Sequence, residues 1–330
     1  GDQFIFTHIY PTPIPAFKQT YKISVNIRDT NSGVDLKDIS ITLDGKSLTP
    51  FYDETSGWAY VILDDTLPAG THTVSVEAKD RKGNKSKQHT SSFNVEAPIS
   101  PKDPDKFTVS VFSDTQGIDF ASLFLKRTLE DESELVIING DIIDYNELKI
   151  WEDELSGMFK VNPKPIMFAP GEFDLSKGNE ENLMVEFGCT SPAYSFEYGN
   201  SLFISLNSAY ENSIGFSDPT QFDYLKKILE RNKKPNVFIF THTPARDSFG
   251  LKNGMPEDDA ENFENILAEY KKANKDKNIN AISGHLHGID SYENGGVVYT
   301  VTGNGNLKRN VSPENGGFLS YTKFNVDGNK

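Results

Sequence analysis

Five short runs of β-branched or aromatic residues mark the C-terminal two thirds of the chain. They are Phe107 to Ser113, Leu135 to Asn139, Pro165 to Ala169, Val237 to Thr241 and Ile279 to Ser283. Near-continuous apolar runs of this length, separated by helical stretches, predict buried strands of an α/β domain. The helices carry their own period. Phe263, Ile266, Leu267 and Tyr270 fall at i, i+3, i+4 and i+7, and Phe222, Leu225 and Leu229 make a second stripe. Both stripes read as core-facing packing rather than ligand contacts. The first third has a different rhythm. Ile23, Val25 and Ile27 alternate with polar neighbours, as do Ile39, Ile41 and Leu43, then Val74 and Val76, then Phe93 and Val95; Trp58, Tyr60 and Ile62 take alternate positions of a further apolar run. Asp44-Gly45, Pro68-Ala69-Gly70 and Lys82-Gly83-Asn84 supply the turns. A period of two with turns at this spacing predicts an all-β sandwich. The expected layout is therefore multi-domain: a β-sandwich over 1–97, a proline- and charge-rich linker over 98–106, and an α/β domain over 107–330.

Composition bounds the function. At 330 residues with 36% apolar and 12% aromatic residues, the chain can build two cores of ordinary size. A formal net charge of -15 argues against a nucleic-acid backbone or an anionic membrane surface as the main partner. No stretch reaches the length of a membrane-spanning helix. The chain opens on Gly1-Asp2 rather than Met, as a processed or trimmed start would, so a leader peptide is not visible. The single cysteine, Cys189, excludes a disulfide within the chain and reads as a small packed residue.

Chemistry gathers where the five runs end. They lead into Asp114, Gly140-Asp141, Pro170-Gly171-Glu172, Thr241-His242 and Gly284-His285-Leu286-His287-Gly288. In open α/β sheets ligands bind beyond the carboxyl ends of the strands. Carboxylates and imidazoles at five such ends should therefore converge. Three of the six histidines, His242, His285 and His287, take part, while His8, His72 and His89 lie in the first third. Imidazole and carboxylate donors without cysteine predict a centre for Mn, Fe or Zn rather than a thiolate-rich structural zinc site.

These blocks, in this order, resemble the calcineurin-like metallophosphoesterase family. Its pattern runs Asp-x-His, Gly-Asp-x-x-Asp, Gly-Asn-His-Asp/Glu, a strand-end His, then Gly-His-x-His. Here the blocks read Asp114-Thr115-Gln116, Gly140-Asp141-Ile142-Ile143-Asp144, Gly171-Glu172-Phe173-Asp174, His242, and Gly284-His285-Leu286-His287. Tyr194-Ser195-Phe196 with Gly199-Asn200, and Gly303-Asn304-Gly305, also match the family's habit. The resemblance covers nearly all of 107–325 and implies a four-layer αββα domain. It implies two divalent ions sharing Asp141, with Asp114, Gln116 and His287 completing one site and Glu172, His242 and His285 the other. It also implies hydrolysis of a phosphate mono- or diester by a hydroxide held between the ions. Asp141 and His285 are then the core of the catalytic centre. The run Asp29 to Val34, Asp44-Gly45, Gly70 to Val74 and Asp80 to Asn84 resemble bacterial Ig-like or fibronectin-like modules. That likeness implies a secreted or cell-envelope setting, with a cell surface or carbohydrate as a contact of the first domain.

Three positions depart from the family pattern. Gln116 replaces a histidine, Glu172 an asparagine, and Phe173 the histidine that protonates the leaving oxygen. Asp174 and Asp144 are the neighbouring carboxylates available as a replacement acid; the plainer alternative makes them structural. Two readings follow. In the first, the chain is a phosphoesterase with an altered general-acid position. In the second, it keeps the fold but has little catalysis, and serves as a cell-surface binding or scaffold module.

Overall fold

A computed structural model describes residues 4–10, 22–144, 164–175, 191–308 and 310–329; Cys189 lies outside them. The chain divides into two compact units. One comprises Gly1–Pro98 with Gly188–Tyr194, the other Ile99–Phe187 with Ser195–Lys330.

The first unit is all-β. Its strands are β1 (Phe4–Tyr10), β2 (Lys22–Asp29), β3 (Ser40–Leu43), β4 (Lys46–Leu48), β5 (Phe51–Asp53), β6 (Trp58–Ile62), β7 (Gly70–Glu77) and β8 (His89–Val95). They form two four-stranded antiparallel sheets, ordered β1-β2-β6-β5 and β4-β3-β7-β8. Ile23, Val25 and Ile27 from one sheet and Ile41, Val74, Val76 and Phe93 from the other share a single core. Alternating residues point to opposite faces, so the period-two positions of β2, β3, β7 and β8 meet in the core; in β6 the core takes Ala59 and Val61 rather than Trp58, Tyr60 and Ile62. Asp44 and Gly45 join β3 to β4 with φ of 51° and 77°. Two consecutive left-handed residues are what a two-residue hairpin loop needs to match strand twist. Asp44 also accepts from the Thr73 amide at 2.8 Å and meets His72 Nδ1 at 2.7 Å, which fastens the turn to β7. β1 was not legible in the sequence. Phe4 and Phe6 pack on the core while Ile5 faces out at 44% exposure, so an apolar outward residue hides the alternation.

The second unit is α/β. Its four-stranded sheet is ordered β11-β10-β9-β18, from β9 (Lys106–Phe112), β10 (Leu135–Ile138), β11 (Ile166–Phe168) and β18 (Thr322–Asp327). The first three are parallel and β18 runs antiparallel to β9. The six-stranded sheet is ordered β12-β13-β14-β15-β17-β16, from β12 (Tyr194–Tyr198), β13 (Ser201–Ser205), β14 (Asn236–Phe240), β15 (Asn278–Ser283), β16 (Gly288–Asn294) and β17 (Val297–Gly303). β13, β14, β15 and β17 are parallel, and β16 turns back on β17. The sheets meet through aromatic rings: Phe238 of β14 packs edge-on against Phe324 of β18 at 5.9 Å. Helices cover the outer faces. Phe124 of α1 (Ile118–Glu130) stacks on Phe112 at 5.7 Å. α2 (Glu172–Leu175) and α3 (Ile214–Ser217) are single turns. Tyr224 of α4 (Gln221–Arg231) donates its hydroxyl to Ser195 of β12 at 2.9 Å. α5 (Glu257–Ala273) buries Phe263, Ile266 and Leu267, three of the four residues of the sequence stripe. Two mixed sheets, each with its parallel core strands ending in the same region, bring five loops together.

Candidate metal centre

Three of the five loops leave their strands through a constrained backbone. Asp114, Gln116, Asp141, His285 and His287 all have positive φ, between 42° and 67°. Non-glycine residues there are strained, at about 1–3 kcal/mol each in unfavourable cases, and cluster where side chains must be aimed. Glycines make the close approach possible. A Cβ on Gly284 would lie 2.7 Å from Asp114 Oδ2, and one on Gly140 would lie 2.4 Å from His242 Nδ1.

The side chains converge. Asp141, Glu172, His242 and His285 each offer one ligand atom, and these atoms all lie within 4.8 Å of one another. His242 Nε2 stands 3.2 Å from Asp141 Oδ2, 3.7 Å from Asp114 Oδ1 and 3.8 Å from Glu172 Oε2. His285 Nδ1 is 3.1 Å from Glu172 Oε2, and the two imidazole centroids are 5.3 Å apart. Asp114 Oδ1 reaches His287 Nε2 at 3.8 Å, and the Gln116 amide lies 3.2 Å from Asp141 Oδ2. All seven sequence-nominated metal residues are thus drawn into one constellation.

Surrounding bonds decide which atoms face inward. His242 places Nδ1 against the Asn139 carbonyl at 2.9 Å, and His287 places Nδ1 against the Lys308 carbonyl at 2.9 Å. Each therefore presents Nε2 to the centre, the arrangement by which outer partners orient metal-binding imidazoles. Asp114 accepts from the His285 amide at 2.9 Å and from Ser113 Oγ at 2.6 Å. Asp141 Oδ1 accepts from the Phe173 amide at 3.0 Å. Asn306 donates to the Asp114 carbonyl at 2.7 Å and to Gln116 Oε1 at 3.3 Å.

This donor set fits a divalent cation. Glu172 Oε2 and His242 Nε2 are buried and find no hydrogen-bond partner. Buried polar atoms are rarely left so, and here the two orphans face each other across the site. Burial works against charge on His242, yet Asp141, Asp114 and Glu172 together push its pKa well above the usual imidazole range. Burial would raise Asp141, but His242, the Phe173 amide and His285 outweigh it and hold the carboxyl low. The carboxylate charge that raises His242 is charge that a bound divalent ion would neutralise.

Asp174 does not belong to the substrate face. It is fully buried; Oδ2 accepts from the Asp141 and Gly171 amides at 2.7 and 2.8 Å, and Oδ1 from the Ile142 amide at 3.1 Å. Burial and the Asp141 charge push it up to about 7, against the Gly171 and Asp141 amides and the His242 charge. Of the two roles the sequence left open to it, this placement is the structural one: its amide donors tie the Gly140 and Gly171 loops together. Asn139, Asn306 and Lys308 support the centre and were missed in the sequence. The Gly140-Asp141 block lay beside Asn139, and the Gly303-Asn304-Gly305 signal beside Asn306 and Lys308.

A two-sheet α/β unit whose strand ends aim carboxylates and imidazoles at one point defines a fold built around a candidate metal centre. The chain belongs to the calcineurin-like phosphoesterase family, whose family model matches residues 107–288. Among solved structures it is similar to a purple acid phosphatase from yellow lupin, Lupinus luteus, at 14% identity and a TM-score of 0.54, covering 99% of this chain and 71% of that one. It is also similar to a dimetal phosphatase from Danio rerio, at 14% identity and a TM-score of 0.48, covering 66% of this chain and 91% of that one. No curated protein matches the chain.

Proposed function

We propose that this protein is a metal-dependent hydrolase of phosphate mono- or diesters. The observation that carries this reading is the buried Asp141–Glu172–His242–His285 cluster with two orphaned ligand atoms facing each other. That cluster would hold one divalent ion, and Asp114, Gln116 and His287, sharing Asp141, would hold a second. Bound there, such ions supply Lewis acidity toward phosphoryl oxygens and an acidified water as nucleophile. The chain's own residues supply orientation. Asn139 and Lys308 fix the imidazoles, the Phe173 amide fixes Asp141, and Asp174 keeps both supporting loops in register. Phe173 brings a phenyl ring to the place of a general acid and can deliver no proton. Esters whose leaving group departs as a stable anion are therefore the expected substrates. The all-β unit fits an Ig-like module over 1–97, and with it a secreted or cell-envelope setting.

The same ring favours the second reading, a fold-retaining binding or scaffold protein. One experiment separates them. Purified protein is assayed for metal content, then for hydrolysis of nitrophenyl mono- and diesters with added Mn²⁺, with chelator, and as Asp141→Asn. Chelator-sensitive turnover that Asp141→Asn abolishes is the expected result. Metal uptake without turnover of either ester would favour the binding reading.

A further inference from the structure

We propose that Lys308 contacts the substrate phosphoryl group and biases this site toward dianionic phosphate monoesters; the proposal rests on the hydrolase reading above. Two departures from the family pattern remove positive character from the substrate side. Glu172 places a carboxylate where the pattern has a neutral amide, so the same metal ions leave one unit less positive charge. Phe173 places a phenyl ring where the pattern has an imidazole. Lys308 stands at that ring, with Nζ 6.0 Å from the Phe173 centroid.

The backbone of Lys308 is locked to the metal centre. Its carbonyl meets His287 Nδ1 at 2.9 Å and accepts from Asn304 Nδ2 at 3.2 Å. Its amide donates to Asn306 Oδ1 at 2.6 Å, and Asn306 in turn donates to the Asp114 carbonyl at 2.7 Å. These bonds set where the side chain starts, while 60% of the side chain stays exposed. Its ion-pair partner among the described residues is Asp144, at 3.8 Å and 40% exposed. So long and wet a pair is weakly held. The ammonium can leave Asp144 for a phosphoryl oxygen, which offers a shorter charge-assisted bond. Near neutral pH a phosphate monoester carries close to two negative charges and a diester one. An added cation at the rim therefore favours the monoester. It restores the charge that Glu172 removes, next to the position where Phe173 leaves none.

The full-length, Mn²⁺-loaded protein tests this with Lys308→Ala and Lys308→Arg. Inorganic phosphate binding is measured by titration calorimetry, and kcat and KM are measured on nitrophenyl phosphate and bis(nitrophenyl) phosphate. Because the structural bonds of Lys308 run through its backbone, neither substitution removes them. Lys308→Ala should weaken phosphate binding, and raise KM for the monoester, by about 10-fold or more. Mn²⁺ affinity should change by less than about twofold, the loss on the diester should be clearly smaller than on the monoester, and Lys308→Arg should keep most of the phosphate affinity. Unchanged phosphate binding in Lys308→Ala overturns the proposal and leaves the hydrolase reading standing. Mn²⁺-loaded wild-type protein that neither binds phosphate nor turns over either ester overturns both.

Discussion

At the scale of single residues the centre combines strain with close support. Asp114, Gln116, Asp141, His285 and His287 adopt left-handed backbone geometry, and each is held by bonds from a neighbouring loop or strand end. Aspartate and histidine tolerate that geometry better than bulky or β-branched residues. The pattern of a strand-end Asp or His beside Gly was visible in the sequence for this reason. Phe173 is the residue on which chemistry turns. Its amide does a structural task, donating to Asp141, while on the proposed reading its side chain stands where the family pattern has a histidine. Without an acid, rate should fall steeply as leaving-group pKa rises. Phe173→His should rescue alkyl phosphates more than nitrophenyl phosphate, by up to about 100-fold, read as the change in slope of log kcat/KM against leaving-group pKa. An unchanged slope, in a variant with unaltered circular dichroism, would show that position 173 does not reach the leaving oxygen.

At the scale of elements, one carboxylate joins four segments of the α/β unit. Asp131 follows the last turn of α1. Its oxygens accept from Ser110 of β9 at 2.8 Å and Ser133 Oγ at 2.6 Å, and meet Lys164 before β11 at 3.3 Å and Lys323 of β18 at 3.5 Å. Burial would raise its pKa, but the serine donors and Lys164 overcome it and bring the carboxyl down to about 2. Since the folded value lies below the unfolded one, the stabilisation is fully present above about pH 4 and disappears as pH falls through about 2. Asp131→Asn should therefore lower unfolding stability at pH 7 by on the order of 1–2 kcal/mol, after allowance for solvent screening. Urea titrations at pH 7, 4 and 2.5 should show the gap to wild type narrowing only at the lowest pH. A gap that stays constant from pH 7 to 2.5 would assign the effect to packing instead.

At the scale of the molecule, the two units have separate cores, and the metal residues lie in the second alone. A ligand that binds only the native form stabilises it by mass action, about 2.7 kcal/mol at a hundredfold excess over Kd. Calorimetric scans with saturating Mn²⁺ and with chelator should therefore move the melting of the α/β unit upward and leave that of the all-β unit in place. Two transitions shifting together would show that the units unfold as one.

The sequence by itself determined the two-domain pattern, the five strands that lead into the centre and the side chains available there. Apolar runs such as Leu135–Ile138 are buried on both faces, so burial is written as composition; the stripe Phe263, Ile266 and Leu267 carries its helical period openly. Asp44-Gly45 specified its own hairpin because few other pairs take two positive φ values. Local sequence could not show what depends on neighbours far along the chain. Whether Asp174 faces substrate or three amides is set by two loops that meet only after both sheets have formed. Asn306, 192 residues from Asp114, becomes its support only when β17 lies alongside β15. Lys308 is an ordinary surface lysine in the sequence, and only the fold brings its carbonyl to His287 and its ammonium to within 6.0 Å of the Phe173 ring centre.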